Sequence, residues 1–150
     1  MKNNALAKDI LEKKGIKPSL HRLKIFEYLS DHPYDHPTVD TIFQDIHSEI
    51  PTLSKTTIYN TLKTFIDKKL IRAITIEENE VRFDVKTQPH AHLKCIQCNN
   101  LYNVNVDPEL FSKFFKENNT DQHEIYETHI YLRGVCNKCI DKQEDLLYAT

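Results

Sequence analysis

Glycine is scarce in this chain, two in 150 residues, and tryptophan is absent. That composition excludes a collagen-like or low-complexity chain, and with 28% charged residues it describes a compact, soluble protein. No apolar run approaches the roughly 18 residues that a membrane-spanning helix needs. The opening residues, "MKNNALAKDILEKKG", carry charges where an export signal needs an apolar core, so the cytoplasm is the expected location. Lysine and arginine are missing from residues 25–50, which hold six acids. The flanks are the reverse: seven Lys/Arg against two acids in 1–24, and five against one in 51–72. Such segregation can set a basic strip on one face although the net charge is −2; two solvated helix faces would leave the same pattern. The length suits one ordinary domain or two small ones.

Cysteine is absent from the first half and then occurs four times, as Cys95-x-x-Cys98 and Cys136-x-x-Cys139. Without an export signal, disulfides are unexpected and a metal or redox role is the reading. Two such knuckles suit a closed tetrahedral Zn²⁺ site with four sulfurs about 2.3 Å from the ion. A redox dithiol is the other possibility, and thiol titration separates the two. The 37 residues between the knuckles exceed a compact zinc ribbon, so a substantial element folds between them. His90 and His92 stand just ahead, in "PHAHLKCIQC". No H-E-x-x-H glutamate appears to serve a metalloenzyme as general base.

The apolar spacing predicts four helices and then a change of rhythm. Residues 6, 10 and 11 mark a short helix stopped by Gly15. Pro18 and Ser19 open a second, with Leu20, Leu23, Phe26 and Leu29 at near-helical spacing. Val39, Ile42, Phe43 and Ile46 define an amphipathic third from near Thr38, broken by Pro51. Ser54 caps a fourth, with Ile58, Leu62, Phe65 and Ile66 as its apolar stripe. Its other face displays Lys55, Thr56, Thr57, Tyr59, Asn60 and Lys63. "LIRAITI" and "VRFDV" around the acidic turn "EENE" read as a hairpin. Helices followed by this hairpin suggest a winged helix-turn-helix, with the fourth helix in the major groove, although any trihelical core shares the pattern. After a polar link at 86–89, "HLKCI" and "LYNVNV" read as strands. "DPELFSKFFKEN" reads as a helix with Leu110, Phe114 and Phe115 on its core side. "HEIYETHIYLRGV" reads as one long strand carrying Ile125, Ile130, Leu132 and Val135, and "IDKQEDLLYA" as a helix. The fold class is α+β: a winged helix-turn-helix domain over 1–86, including the hinge entry, and a small α/β metal-binding dimerisation domain over 87–150, whose sheet could pair with a second copy.

The ordered pieces "HRLKIFEYL", "HPTVDTIF", "TTIYNTLKTF", "RFDV", "HAHLKCIQC" and "GVCNKC" resemble the ferric uptake regulator superfamily over residues 5–140. The resemblance implies a homodimeric, metal-dependent transcriptional repressor, not an enzyme, stapled by Zn²⁺ at the four cysteines. Within the superfamily the sequence is most similar to the peroxide-sensing repressors, the PerR group. That likeness implies a regulatory Fe²⁺ or Mn²⁺ held by His36 of "HPT", Asp84 of "RFD", His90, His92 and, in fifth place, residue 103. Three imidazoles with oxygen ligands suit those metals better than the soft Cys₄ set does. The family has an aspartate where this chain has Asn103. The amide oxygen can still coordinate, but one negative charge is lost, which implies weaker binding or a changed Fe/Mn preference.

The same likeness implies a signal. Iron and hydrogen peroxide oxidise a histidine ligand, His36 or His90, and metal and DNA are then released. The implied ligands come from both halves and the hinge, so the metal would link the halves and set the spacing of paired recognition helices. Two-fold symmetry then implies a pseudo-palindromic double-stranded DNA operator, with metal and DNA affinities coupled. Tyr59 and Asn60 are the implied base-side residues, and Lys55, Thr56, Thr57 and Lys63 phosphate contacts. Arg22 either reaches the DNA backbone or pairs inside its domain. His21, His32 and His47 read as surface residues, and no site is assigned to His123 or His129. The alternative within the class is a Fur-like or Zur-like repressor that senses metal supply.

Overall fold

Helix starts follow the local capping chemistry. In the computed structural model, which describes residues 2–118 and 122–148 (backbone only at 2–3 and 143–148), α1 is Lys2–Lys13 and α2 is Leu20–Asp31. α3 is Val39–Ile46 and α4 is Lys55–Asp67. Ser19, Thr38 and Ser54 are extended N-caps whose hydroxyls accept from Arg22 N, Thr41 N and Thr57 N. α1 ends at Gly15, whose φ of 69° is left-handed. There Gly15 N donates to the Glu12 carbonyl and Ile16 N to the Leu11 carbonyl, both at 2.9 Å. That is the Schellman pattern, which glycine adopts without strain. α4 ends the same way at Lys69, with φ 55°, and Leu70 N donates to the Phe65 carbonyl at 2.8 Å.

The chain divides into two units, Met1–Thr87 and Gln88–Thr150. In the first, α1–α4 bury one core that includes Leu11, Ile25, Ile42, Ile58, Leu62 and Phe65. Each such side chain contributes about 1.5–3 kcal/mol by leaving water. The hairpin of β1 (Arg72–Glu77) and β2 (Glu80–Asp84) follows, with Ala73 opposite Phe83. The second unit holds β3 (Ala91–Cys95), β4 (Leu101–Val104), α5 (Pro108–Glu117), β5 (Ile130–Gly134) and α6 (Asn137–Tyr148). Its sheet order is β4-β3-β5, with β4 antiparallel and β5 parallel to β3. No helix among the described residues is long and apolar enough to cross a membrane.

Several expectations need correction. Leu6 and Leu20 lie outside the core and are exposed, because the buried stripes run through Ala7 and Leu11 and through Ile25, Phe26, Tyr28 and Leu29. α3 stops at Ile46, well before Pro51, with His47 as its C-cap. The "EENE" turn is shorter than expected: Glu77 and Glu80 pair within the strands and only 78–79 turn. On α5 the Phe111–Phe115 pair, with ring centroids 6.3 Å apart, is half-buried, whereas Leu110 and Phe114 are 63% and 57% exposed. Four apolar residues at 110, 111, 114 and 115 span two neighbouring rows of a helix, and here the second row turns inward. The long strand is also cut: 124–129 are irregular and Ile125 is exposed. The partner strand β3 offers only Ala91–Cys95, so β5 pairs over five residues and no further. Ala149, expected in the last helix, lies outside the described residues.

Candidate functional site

Strand direction explains why the two knuckles meet. β5 runs parallel to β3, with Cys95 opposite Gly134 in the register. Both strands therefore end at the same edge, and each C-x-x-C turn begins where its strand stops. The intervening β4 and α5 carry the chain back, which accounts for the wide spacing between knuckles. The four sulfurs of Cys95, Cys98, Cys136 and Cys139 lie within 4.8 Å of one another. Cys98 and Cys136 are 3.8 Å apart, Sγ to Sγ. A disulfide needs about 2.05 Å, whereas a tetrahedron with Zn–S bonds of about 2.3 Å has an edge near 3.8 Å. The donor set fits zinc.

Backbone dipoles converge on these thiols. Cys136 N donates to Cys95 Sγ at 3.3 Å. The first turn is closed by Asn99 N on the Cys95 carbonyl at 3.0 Å, with Asn99 in the left-handed region at φ 60°. Backbone N–H groups, that of Cys98 foremost, draw the Cys95 thiol down to about 6. The Tyr102 hydroxyl, 3.4 Å from Cys136 Sγ, lowers the Cys136 thiol, and the same bond raises Tyr102 to about 12. Burial pushes Cys139 up to about 12, so metal must displace its proton.

Two groups escaped the sequence reading. Tyr102 sits on β4, where spacing gives no sign that its hydroxyl reaches a sulfur. Lys94, only 3% exposed, donates through Nζ to the Asn99 carbonyl at 2.7 Å and so holds the knuckle turn. A lone lysine before a cysteine carries no signal in sequence.

The other expected ligands fall in two sets, one in each unit. In the first unit His36, with φ 46°, precedes α3. Its neighbour Pro37 accepts from Phe83 N at 3.0 Å, pinning this turn to β2. His36 Nε2 thereby lies 3.9 Å from Asp84 Oδ2, with both side chains buried, while Asp84 Oδ1 accepts from Lys86 N at 2.7 Å. In the second unit His90 precedes β3 and His92 lies on it; both are buried. His90 Nδ1 donates to the Gln88 carbonyl at 2.8 Å, because a carbonyl can only accept. That hydrogen bond leaves the His90 Nε2 lone pair facing His92 Nε2 at 3.0 Å. Adjacent ligands on one ion, with metal–nitrogen bonds of about 2.1 Å, stand about 3 Å apart, so this pair also fits a metal. Asn103 pairs directly with His92 across the ladder.

On α4, Tyr59, Asn60, Thr56 and Lys63 are exposed. Lys55 is engaged inside its unit, 2.8 Å from Asp40 Oδ1 and over the Phe43 ring. The Thr57 hydroxyl meets Ser54 Oγ at 2.9 Å. Arg22 Nη1 donates to the Lys17 carbonyl at 2.8 Å, the intradomain pairing that its residue type allowed. Two grooves flank α4. One, of about 420 Å³, is lined by Lys17, Ser19, His21, Arg22, Thr57 and Asn60 among others; the other, of about 720 Å³, lies against the hairpin. His21 meets Thr52 Oγ1 at 3.1 Å. His32 is half-buried and stacks on Tyr28, not the plain surface residue expected, whereas His47 is exposed. His129 pairs with Glu127 at 3.1 Å and lies 3.2 Å from the Tyr131 hydroxyl.

The family model described as "Ferric uptake regulator family" matches residues 13–133. The peroxide-responsive repressor PerR of Staphylococcus aureus (strain Mu50) is 32% identical over 132 residues, 88% of each chain. Among solved structures, the Vibrio cholerae ferric uptake regulator shares the fold with a TM-score of 0.69 at 23% identity, over 86% of this chain and 98% of that one. The Campylobacter jejuni peroxide stress regulator does so with a TM-score of 0.66 at 21% identity, over 90% and 97%.

Proposed function

This chain belongs to the ferric uptake regulator family of metal-responsive transcriptional regulators, and from that premise we propose that it is a repressor of the peroxide-responsive kind. The observation that carries the reading is the donor chemistry: a buried His36–Asp84 pair and a buried His90–His92 pair whose Nε2 atoms are 3.0 Å apart. Hard, nitrogen- and oxygen-rich donors of this kind suit Fe²⁺ or Mn²⁺, in contrast to the four thiolates assigned to structural Zn²⁺. We assign His36, Asp84, His90, His92 and Asn103 as ligands of one regulatory ion. When iron is bound there, it supplies with hydrogen peroxide the chemistry that adds oxygen to a histidine ligand.

The chain's own residues do the rest. The Gln88 carbonyl holds the His90 tautomer, and the Lys86 amide orients the Asp84 carboxylate. An oxygen added to His36 or His90 removes a neutral nitrogen donor, and the affinity for metal falls. Metal and DNA binding are coupled, so DNA affinity falls with it. The protein acts in the cytoplasm as a homodimer on a pseudo-palindromic operator, presenting Tyr59 and Asn60 to base edges and Lys63 and Thr56 to phosphates. Asn103 favours a second reading, a repressor that answers to metal supply, because an amide in place of a carboxylate weakens the hold on a divalent ion.

Peptide mass spectrometry decides between the two, after loading with Fe²⁺ or Mn²⁺ and adding hydrogen peroxide. One added oxygen on the peptides containing His36 or His90, with Fe²⁺ only, is the expected result. Unmodified histidines under both metals would assign the protein to the metal-supply regulators.

A further inference from the structure

The exposed Cys98 and the buried Cys136 are the sulfur pair across which the two knuckles approach to 3.8 Å. The Tyr102 hydroxyl touches both, at 3.4 Å from Cys136 Sγ and 3.9 Å from Cys98 Sγ. The half-buried Tyr102 ring also packs on the cysteine cluster. We propose that Tyr102 is a positioning residue of the tetrathiolate whose hydroxyl protects zinc from hydrogen peroxide by engaging the Cys136 electron pair. The proposal rests on the zinc reading and is independent of the peroxide-sensing one.

The chemistry runs through the two sulfurs that Tyr102 contacts. Peroxide reaches the exposed Cys98 thiolate first. A sulfur electron pair attacks one peroxide oxygen, the O–O bond breaks, and hydroxide leaves, giving a Cys98 sulfenic acid. The Cys136 thiolate then attacks the Cys98 sulfur; an S–S bond forms, the S–O bond breaks, and a second hydroxide leaves. In sum, two thiolates are oxidised by two electrons, one peroxide is reduced to two hydroxides, and zinc loses two ligands. The electron pair needed for the second step is the one the Tyr102 hydroxyl holds, so closure requires that hydrogen bond to break. Charge-assisted hydrogen bonds are strong enough for its loss to speed closure about fivefold or more.

The test uses the full-length, zinc-loaded protein and its Tyr102→Phe variant, with Tyr131→Phe as control. Zinc content is measured first; a wild type that binds no zinc would overturn the zinc assignment itself. Zinc release under excess hydrogen peroxide is then followed with a colorimetric chelator. The expected result is release at least about fivefold faster from Tyr102→Phe than from the wild type or the control. In the Co²⁺-substituted proteins, the sulfur-to-cobalt charge-transfer band should move to lower energy in Tyr102→Phe, a change that ring packing alone would not cause. Equal release rates from loaded proteins would overturn the proposal. Should Tyr102→Phe, which keeps the ring, fail to take up zinc, Tyr102→Gln restores a donor: regained uptake supports the hydroxyl's role, and loss in both would overturn its assignment to a single hydrogen-bond donor.

Discussion

Lys55 and Lys63 share a helix and a charge but not their surroundings. Lys55, although exposed, lies 2.8 Å from Asp40 and over the Phe43 ring, so an ion pair of its own unit competes with a phosphate for its ammonium. Lys63 is exposed on the same helix as Tyr59 and Asn60, beside the groove toward the hairpin. An amide can read a base edge with paired donor and acceptor, whereas an ammonium answers only to charge. Asn60→Ala should therefore relax sequence preference, with a loss of about 1–3 kcal/mol confined to the specific site. Lys63→Ala should weaken all DNA alike and flatten the salt dependence by about one counterion. Titration of the metal-loaded protein on operator and random duplexes at several salt concentrations checks both; identical effects of the two changes would remove α4 from the major groove.

At the scale of the element, scarce glycine leaves other residues in left-handed backbone. Gly15 ends α1 and Lys69 ends α4 with the same Schellman geometry, at φ 69° and 55°. Only the first position has the residue that this backbone favours. Gly15→Ala should cost about 1 kcal/mol, and Lys69→Gly should add a similar amount. In a unit of this size, each change is expected to move the first unit's melting temperature by about 4–8 °C, down and up respectively. Calorimetry of the two variants gives the signs directly. The N-caps at Ser19, Thr38 and Ser54 and these C-caps are short-range features, which is why helix starts are legible in sequence. The truncation of β5 was not, because its partner β3 decides it, and neither was the half-buried row of α5, because two neighbouring rows of that helix are equally apolar.

At the scale of the molecule, the two units differ in what holds them together. The first buries a continuous apolar core contributed by all four helices. In the second, the buried cluster among the described residues consists of Cys95, Cys136 and Cys139, with Tyr102 and Val135 packed against it. A unit whose core is a set of thiolates depends on the metal that neutralises them. Stripping zinc with a strong chelator under reducing conditions should therefore abolish hydrogen-exchange protection in peptides of 88–148 and leave that of α1–α4 in place. Retained protection in both would show that the second unit folds without metal. Lowering the pH should have the same selective effect, because thiols that must lose protons to bind zinc regain them in acid.

Capping and apolar spacing determined the helical half, and the paired C-x-x-C knuckles the candidate zinc ligands, because these are written in patterns a few residues long. The order of the longer motifs carried the family resemblance and, with it, the proposed regulatory ligands. Tertiary structure alone decided that the knuckles meet, since that depends on β5 lying parallel to β3 and ending beside it. It also decided that Arg22 and Lys55 bond to Lys17 and Asp40 of their own unit, and that Tyr102 and Lys94 buttress the cysteine cluster. Those facts join residues far apart in the chain, or depend on which way a side chain turns, and no local pattern carries them.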